Sequence, residues 1–241
     1  MKSLSFLTLP FIILACTDPA SQVYSDQASL TSEEGLFLDS LLMPKGFQVE
    51  VYGRVDNARS MAMSPDGVLF VGNKTNSSVY ALQDRNNDMK ADTLYTIAKD
   101  LIMPNGIAFK DGALYVAEID KLWRYDAIED NLNDPKATLI YNDFPEDSHH
   151  GWKYIAFGPD GKLYVPVGAP CNVCETKDDT YYASIVRMDA DGTNREIVAK
   201  GVRNTVGLTW HPITGEMWFT DNGRDLPVSY THLTLPTMFE V

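Results

Sequence analysis

Two histidines stand side by side in the string Ser148-His149-His150-Gly151-Trp152-Lys153. Imidazole changes charge near neutral pH, so a placed histidine takes a proton from a hydroxyl group. Arg203-Asn204, in the string G-V-R-N-T-V-G-L-T-W-H-P, joins a fixed guanidinium to an amide. A guanidinium stabilises a developing oxyanion or grips a carboxylate through two N–H groups. Each pair leads into an apolar, strand-like run, residues 154–157 in one case and 206–210 in the other. If these runs are equivalent strands of neighbouring repeats, the two loops lie on one face near a common axis. Residue types alone leave open a surface histidine pair and a structural arginine.

Two further constellations carry metal or sulfur chemistry. Cys171-Asn172-Val173-Cys174 is a C-x-x-C pair, but Glu175 stands where a c-type haem site needs histidine. No second pair exists to complete a zinc site, and no βαβ pattern surrounds it for thioredoxin-like redox work. In an exported chain the expected state is a disulfide closing a small loop. Residues 84–92 place Asp84, Asn86, Asp88 and Asp92 at alternate positions, as calcium loops do. Met89 stands where an EF-hand loop has glycine, and no glutamate closes the loop, so a polar hairpin loop is the competing reading.

The elements that must position these groups are strands. Gly158-Pro159-Asp160-Gly161 reads as a tight turn, in which proline fixes one φ and glycine is free to take φ > 0. Leu163, Val165 and Val167 then alternate to one face of a strand, with Tyr164 and Pro166 on the other. Similar strand–turn–strand units surround Gly67, Gly112 and Gly215, at spacings of 45, 49 and 54 residues along the series Gly67, Gly112, Gly161, Gly215. Further strands read at residues 78–82, 121–125 and 184–188, and no long segment has sustained helical periodicity. A four-stranded propeller blade takes about 40 to 50 residues, so the chain reads as an all-β propeller with about four blades present.

With a net charge of −13 over 241 residues, nucleic acid is excluded as the main partner, because phosphate binding needs a basic face. The acidic balance is compatible with hard cations. Met1-Lys2 and the apolar run to Ala15 have the layout of a signal peptide, and Ile13-Leu14-Ala15-Cys16 resembles a bacterial lipobox with Cys16 as the lipidated residue. Residues 1–16 are therefore expected to direct export, and residues 17–41 read as a tether or as a short helix near Leu36 to Leu42. Thr17 after the cysteine favours the outer membrane. The expected location is the periplasm or cell envelope.

The strings H-H-G-W-K-Y-I-A-F-G-P-D-G-K-L-Y-V-P-V-G-A-P-C-N-V-C, G-V-R-N-T-V-G-L-T-W-H-P and W-F-T-D-N-G-R-D, in this order, resemble the glucose/sorbosone dehydrogenase family, over residues 42–225. These are six-bladed propeller quinoproteins that use pyrroloquinoline quinone (PQQ) and calcium. The resemblance implies a small-molecule sugar or aldehyde substrate. It implies that His150 takes the hydroxyl proton while hydride passes to the quinone, that Arg203 polarises the quinone oxygen, and that Asn204 contacts the cofactor. Gly223 and Arg224 match the segment whose carbonyls hold calcium. Glucose-oxidising members carry V-G-D where this chain has Val167-Gly168-Ala169. The family's aspartate orients the histidine, so its loss points to the sorbosone-type branch and to Asp147 as a substitute carboxylate.

Past Asp225 the resemblance ends. Residues 226–241 read as a non-native tail on a C-terminally truncated chain that is expected to be inactive alone, with residues 46–52 as a strand meant to close the last blade. A non-catalytic propeller that binds a ligand or protein, and a calcium-dependent propeller lactonase, are the rival functions. Thiol labelling of the folded protein without reductant is expected to find Cys171 and Cys174 blocked, and two reactive thiols would refute the disulfide.

Overall fold

The computed structural model describes residues 23–24, 27–174 and 181–225. The readings placed on residues 1–22 and on the tail at 226–241 lie outside the described residues. None of the described helices is long and apolar enough to cross a membrane.

The described residues form four antiparallel sheets that follow one another along the chain. The first holds β1 (Val23–Tyr24), β2 (Ala58–Met63), β3 (Val68–Asn73), β4 (Val79–Gln83) and β5 (Thr93–Ala98), in the order β1-β5-β4-β3-β2. The second is the meander β6 (Gly106–Lys110), β7 (Ala113–Ala117), β8 (Leu122–Tyr125) and β9 (Ala137–Tyr141). The third is β10 (Ala156–Phe157), β11 (Leu163–Val167), β12 (Ser184–Met188) and β13 (Glu196–Lys200). The fourth is the pair β14 (Leu208–Trp210) and β15 (Met217–Phe219). The only helical pieces among the described residues are α1 (Gln27–Leu30) and 3-10 turns at Leu38–Ser40 and Ile128–Asn131.

Each sheet is a propeller blade. The innermost strands β2, β6 and β10 run side by side, with β6 between the other two. The hairpin glycines expected from the sequence take left-handed backbone, for example Gly161 at φ 75°, where its N–H donates to the Gly158 carbonyl at 2.9 Å. Apolar side chains fill the gaps between blades. Phe70, Val79 and Ile97 of blade 1 meet Ile107, Leu114 and Val116 of blade 2. Tyr115, Leu122 and Tyr141 of blade 2 meet Leu163, Val165 and Met188 of blade 3. Tyr164 and Ile185 of blade 3 meet Leu208 and Trp210 of blade 4, with the Tyr164 and Trp210 rings edge-to-face at 4.9 Å.

Three sequence expectations differ from this structure. The alternation at residues 163–167 anticipates one covered face, yet all five residues of β11 are buried. A middle blade is packed on both sides, so its second face meets the next blade rather than water. The run 154–157 is a strand only at β10, because the Lys153 carbonyl just before it is taken by the Asn105 side chain of the blade 2 approach, at 2.6 Å. Residues 46–52 carry no strand pairing, and Phe47 among them is exposed. The outermost strand of blade 1 is instead extended by β1, where Val23 faces Tyr95 and Tyr24 faces Leu94. That pairing uses residues within the stretch read as a tether.

The packing predicts where stability resides. Leu163 is fully buried between blades 2 and 3, so Leu163→Ala is expected to cost about 2–5 kcal/mol in urea unfolding. Leu139→Ala, at an exposed position of β9, is expected to change stability by less than about 1 kcal/mol.

Candidate functional site

His150 sits in the loop before β10, at the end of the sheets where the innermost strands begin. Its backbone is left-handed at φ 54°, a conformation that costs a non-glycine residue energy and persists where surrounding structure holds it. Three contacts hold it. The Gly151 N–H donates to the Ser148 carbonyl at 3.2 Å and closes the turn. Lys153, 1% exposed, donates from Nζ to the Gly151 carbonyl at 2.6 Å, and burial pushes its ammonium down to about 7. Gly168, just past β11, lies so close that a Cβ there would stand 2.5 Å from the His150 Cβ and 2.7 Å from its carbonyl oxygen.

The His150 ring is oriented by backbone. Nδ1 lies 2.8 Å from the Ala169 carbonyl oxygen. A carbonyl only accepts, so Nδ1 carries the proton and Nε2 keeps its lone pair. Desolvation is the main influence that holds the imidazole below its ordinary pKa; the Ala169 hydrogen bond opposes it, and the nearby His149 and Arg203 charges add to it. The result is a neutral imidazole at neutral pH with a free basic nitrogen. The Ala169 side chain has no part in this, as the V-G-A string implies, but its peptide carbonyl does what a carboxylate was expected to do. Asp147 does not substitute: its carboxylate accepts from the Tyr182 hydroxyl, which burial and this contact raise to about 12.

Arg203 is joined to the same residue, because the Ala169 N–H donates to the Arg203 carbonyl at 2.8 Å. The guanidinium braces three loops. Nε donates to the Asn172 carbonyl at 3.2 Å and Nη2 to the Asn172 side-chain oxygen at 2.7 Å. Nη1 donates to the Asn222 and Gly223 carbonyls, each at 2.8 Å. Among the described residues four of its five N–H groups are thus engaged and one on Nη2 remains. The Asp221 carboxylate accepts the backbone N–H groups of Arg203 (3.2 Å) and Asn204 (2.7 Å). The Asn204 side-chain amide has no hydrogen-bond partner among the described residues and is half-buried. Cys171 and Cys174 are disulfide-bonded, as expected, and close the loop that presents Asn172.

The structure therefore brings together His150, Arg203 and Asn204. Of the expected calcium ligands it brings the Gly223 carbonyl to Arg203 and leaves Asp84, Asn86, Asp88 and Asp92 apart. The Gly223 carbonyl accepts one guanidinium N–H, which leaves its second lone pair, and Arg224 is exposed. Asp84, Asn86, Asp88 and Asp92 lie in the β4–β5 connection, at the opposite end of the sheets from His150. There Asp84 accepts the backbone N–H groups of Asn87 (2.7 Å) and Met89 (2.9 Å), and Asp92 accepts that of Arg85 at 2.7 Å. Among the described residues no group of three or more His, Cys, Asp or Glu side chains gathers as a metal centre. Sequence reasoning missed Gly168, Asn172, Asp221 and Lys153. The V-G-A and C-N-V-C strings held two of them in plain view, and nothing in the sequence marked Lys153 as buried.

Residues 38–237 match the family described as a domain of unknown function, DUF7133. The chain belongs to DUF7133. A curated relative, an uncharacterised protein of Borreliella burgdorferi, is 29% identical over 214 residues, which is 82% of this chain and 53% of the relative. The chain thus spans about half the length of that relative. Among solved structures it is similar to the PQQ domain of a pyranose dehydrogenase from Coprinopsis cinerea (TM-score 0.60, 16% identity, 70% of this chain and 44% of that one). It is also similar to the calcium structure of a Trichoderma reesei carbohydrate-active enzyme of family AA12 (0.62, 17%, 71% and 47%). The PQQ-bound aldose sugar dehydrogenase of Streptomyces coelicolor matches over more of the chain (0.56, 18%, 87% and 63%). At such identities the likeness is one of fold, and that fold is the β-propeller.

The depressed His150 pKa has a sign that can be checked. Its neutral form stabilises the fold fully above the ordinary value of 6.5, and that contribution is lost as pH falls through the window below it. A ring-nitrogen NMR titration is expected to give His150 a midpoint below 6.5, and His150→Gln is expected to remove the matching part of the acid-side stability loss. A midpoint at or above 6.5 would show that burial does not govern this imidazole.

Proposed function

We propose that this chain is part of an exported quinoprotein dehydrogenase that oxidises a sugar or sugar-derived aldehyde, with PQQ as its cofactor. The observation that carries this reading is the oriented, neutral imidazole of His150 beside Arg203. A propeller fold shared with sugar dehydrogenases supports it without establishing a substrate. The donor set suits a quinone bearing carboxylates: a basic Nε2, one remaining Arg203 N–H, and the unpartnered Asn204 amide. PQQ, when bound, supplies the acceptor for the hydride that leaves the substrate carbon with its electron pair.

The residues of this chain do the rest. His150 Nε2 takes the proton of the substrate hydroxyl as the C–H bond breaks, and the Ala169 carbonyl stabilises the imidazolium that forms through the Nδ1–H bond. Arg203 and Asn204 offer donors to oxygen atoms that gain charge. Lys153 and Gly168 keep the His150 turn from relaxing. Calcium, when bound, would be held by the Gly223 and Arg224 carbonyls, the first through its second lone pair, and no step runs through it. Export belongs to the same proposal, with Cys16 as the lipid attachment point; the Cys171–Cys174 disulfide supports an oxidising compartment.

The test is dye-linked oxidation of aldoses by protein extended to the length of its relatives and reconstituted with PQQ. His150→Gln is expected to lower kcat by about 10²–10⁴-fold, the usual worth of a general base. His149→Gln is expected to cost less than tenfold. Equal losses in the two variants would remove His150 from its role. Absence of turnover in quinone-loaded wild type would favour a ligand-binding propeller.

A further inference from the structure

We infer that Arg59, Lys74 and Trp152 form a carboxylate-binding site beside His150. Trp152 follows His150 by two residues, on the loop before blade 3. The Arg59 guanidinium lies 4.2 Å from the centre of its ring and the Lys74 ammonium 5.3 Å. Both cations come from blade 1: Arg59 from β2, and Lys74 from the loop after β3. Blade 2 lies between them and Trp152, since β6 packs against both β2 and β10. The contact therefore spans the mouth of the propeller at the His150 end.

Three features mark this cluster as a site rather than a surface accident. First, neither cation has a carboxylate partner among the described residues, in a chain with 33 acidic against 20 basic side chains. With carboxylates in such excess, two unpaired cations at one place leave an uncompensated positive charge. Second, both charges sit against one ring, at 4.2 Å and 5.3 Å from its centre, so their separation is at most comparable to the Debye length of about 8 Å at physiological salt and they repel each other until an anion arrives. The ring quadrupole offsets part of that repulsion and holds them in place. Third, the platform is built in advance. Asn73, fully buried, donates from Nδ2 to the Asp56 carbonyl at 2.6 Å, and its Oδ1 accepts the N–H groups of Thr75 (3.0 Å) and Asn76 (2.6 Å), the two residues that follow Lys74. An organic carboxylate would take a forked contact from Arg59 and a point contact from Lys74.

Such a carboxylate has two sources, an acidic group on the cofactor or one on the substrate, and that choice rests on the dehydrogenase reading above. The carboxylate site itself does not. The experiment is calorimetric titration of PQQ, D-glucuronate and D-glucose into the 241-residue chain and its Arg59→Gln/Lys74→Gln double variant, at low and at physiological salt. At least one carboxylate is expected to bind the wild type, to bind the double variant at least tenfold more weakly, and to weaken with salt. Loss confined to PQQ assigns the site to the cofactor, and loss confined to glucuronate assigns it to an acidic sugar. Glucose binding is expected to be unchanged by the double substitution. Carboxylate binding is read here without turnover, so a failed dehydrogenase reading leaves this result standing. If the double variant unfolds, each single variant is titrated, with a threefold or greater loss expected. Equal carboxylate affinity in wild type and variants, or no carboxylate binding to the wild type at either salt, would overturn the proposal.

Discussion

The site depends on the two ends of one peptide residue. The Ala169 carbonyl receives the His150 Nδ1–H and the Ala169 N–H meets the Arg203 carbonyl, both at 2.8 Å. His150 and Arg203 belong to loops of different blades, and this residue is their common reference. Each bond alone is worth only about 0.5–1.5 kcal/mol of stability. Their importance is geometric, since they fix which imidazole nitrogen is basic and where the Arg203 backbone stands. The residue is itself held by the end of β11, whose five residues are all buried between neighbouring blades. Rigid packing on both faces of a middle blade is thus converted into a positioned proton acceptor.

Arg203 shows how one side chain serves structure and chemistry at once. Its guanidinium ties the disulfide-closed loop at Asn172 to the segment at Asn222–Gly223, while its backbone is capped by Asp221. A rigid, planar fork suits this, because it meets several carbonyls without losing further freedom at each one. The same engagement holds the Gly223 carbonyl beside the site with one of its two lone pairs in use.

The propeller was legible because its signals are periodic. Turn glycines recur at near-constant spacing, and each is flanked by apolar alternation, so the hairpins of blades 1 to 3 appear where the sequence places them. What escaped was set by neighbours rather than by local pattern. Asn105 takes the Lys153 carbonyl and shortens the strand that begins blade 3, and the second face of β11 is apolar only because blade 4 covers it. The same holds at the site. His150 and Arg203 converge because they occupy equivalent places in successive repeats, which the repeat phase reveals. Asn172 was hidden between two cysteines that drew the attention, and Ala169 was judged by a methyl group that takes no part. Asp147, a carboxylate close in sequence, turned out to serve Tyr182.

An orienting group made of backbone has a consequence for how such a site tolerates change. A side-chain carboxylate behind a histidine can be deleted by one codon, whereas a peptide carbonyl survives almost every substitution at its own position. The constraints therefore differ between adjacent residues: position 169, buried and donating its N–H, limits size and excludes proline but asks nothing of side-chain chemistry, while position 168 has no room for even a methyl group. Ranking residues by the chemistry of their side chains would score both as inert. In this chain the information that orients the base is carried by the path of the main chain, and the glycine that permits that path is its genetic record.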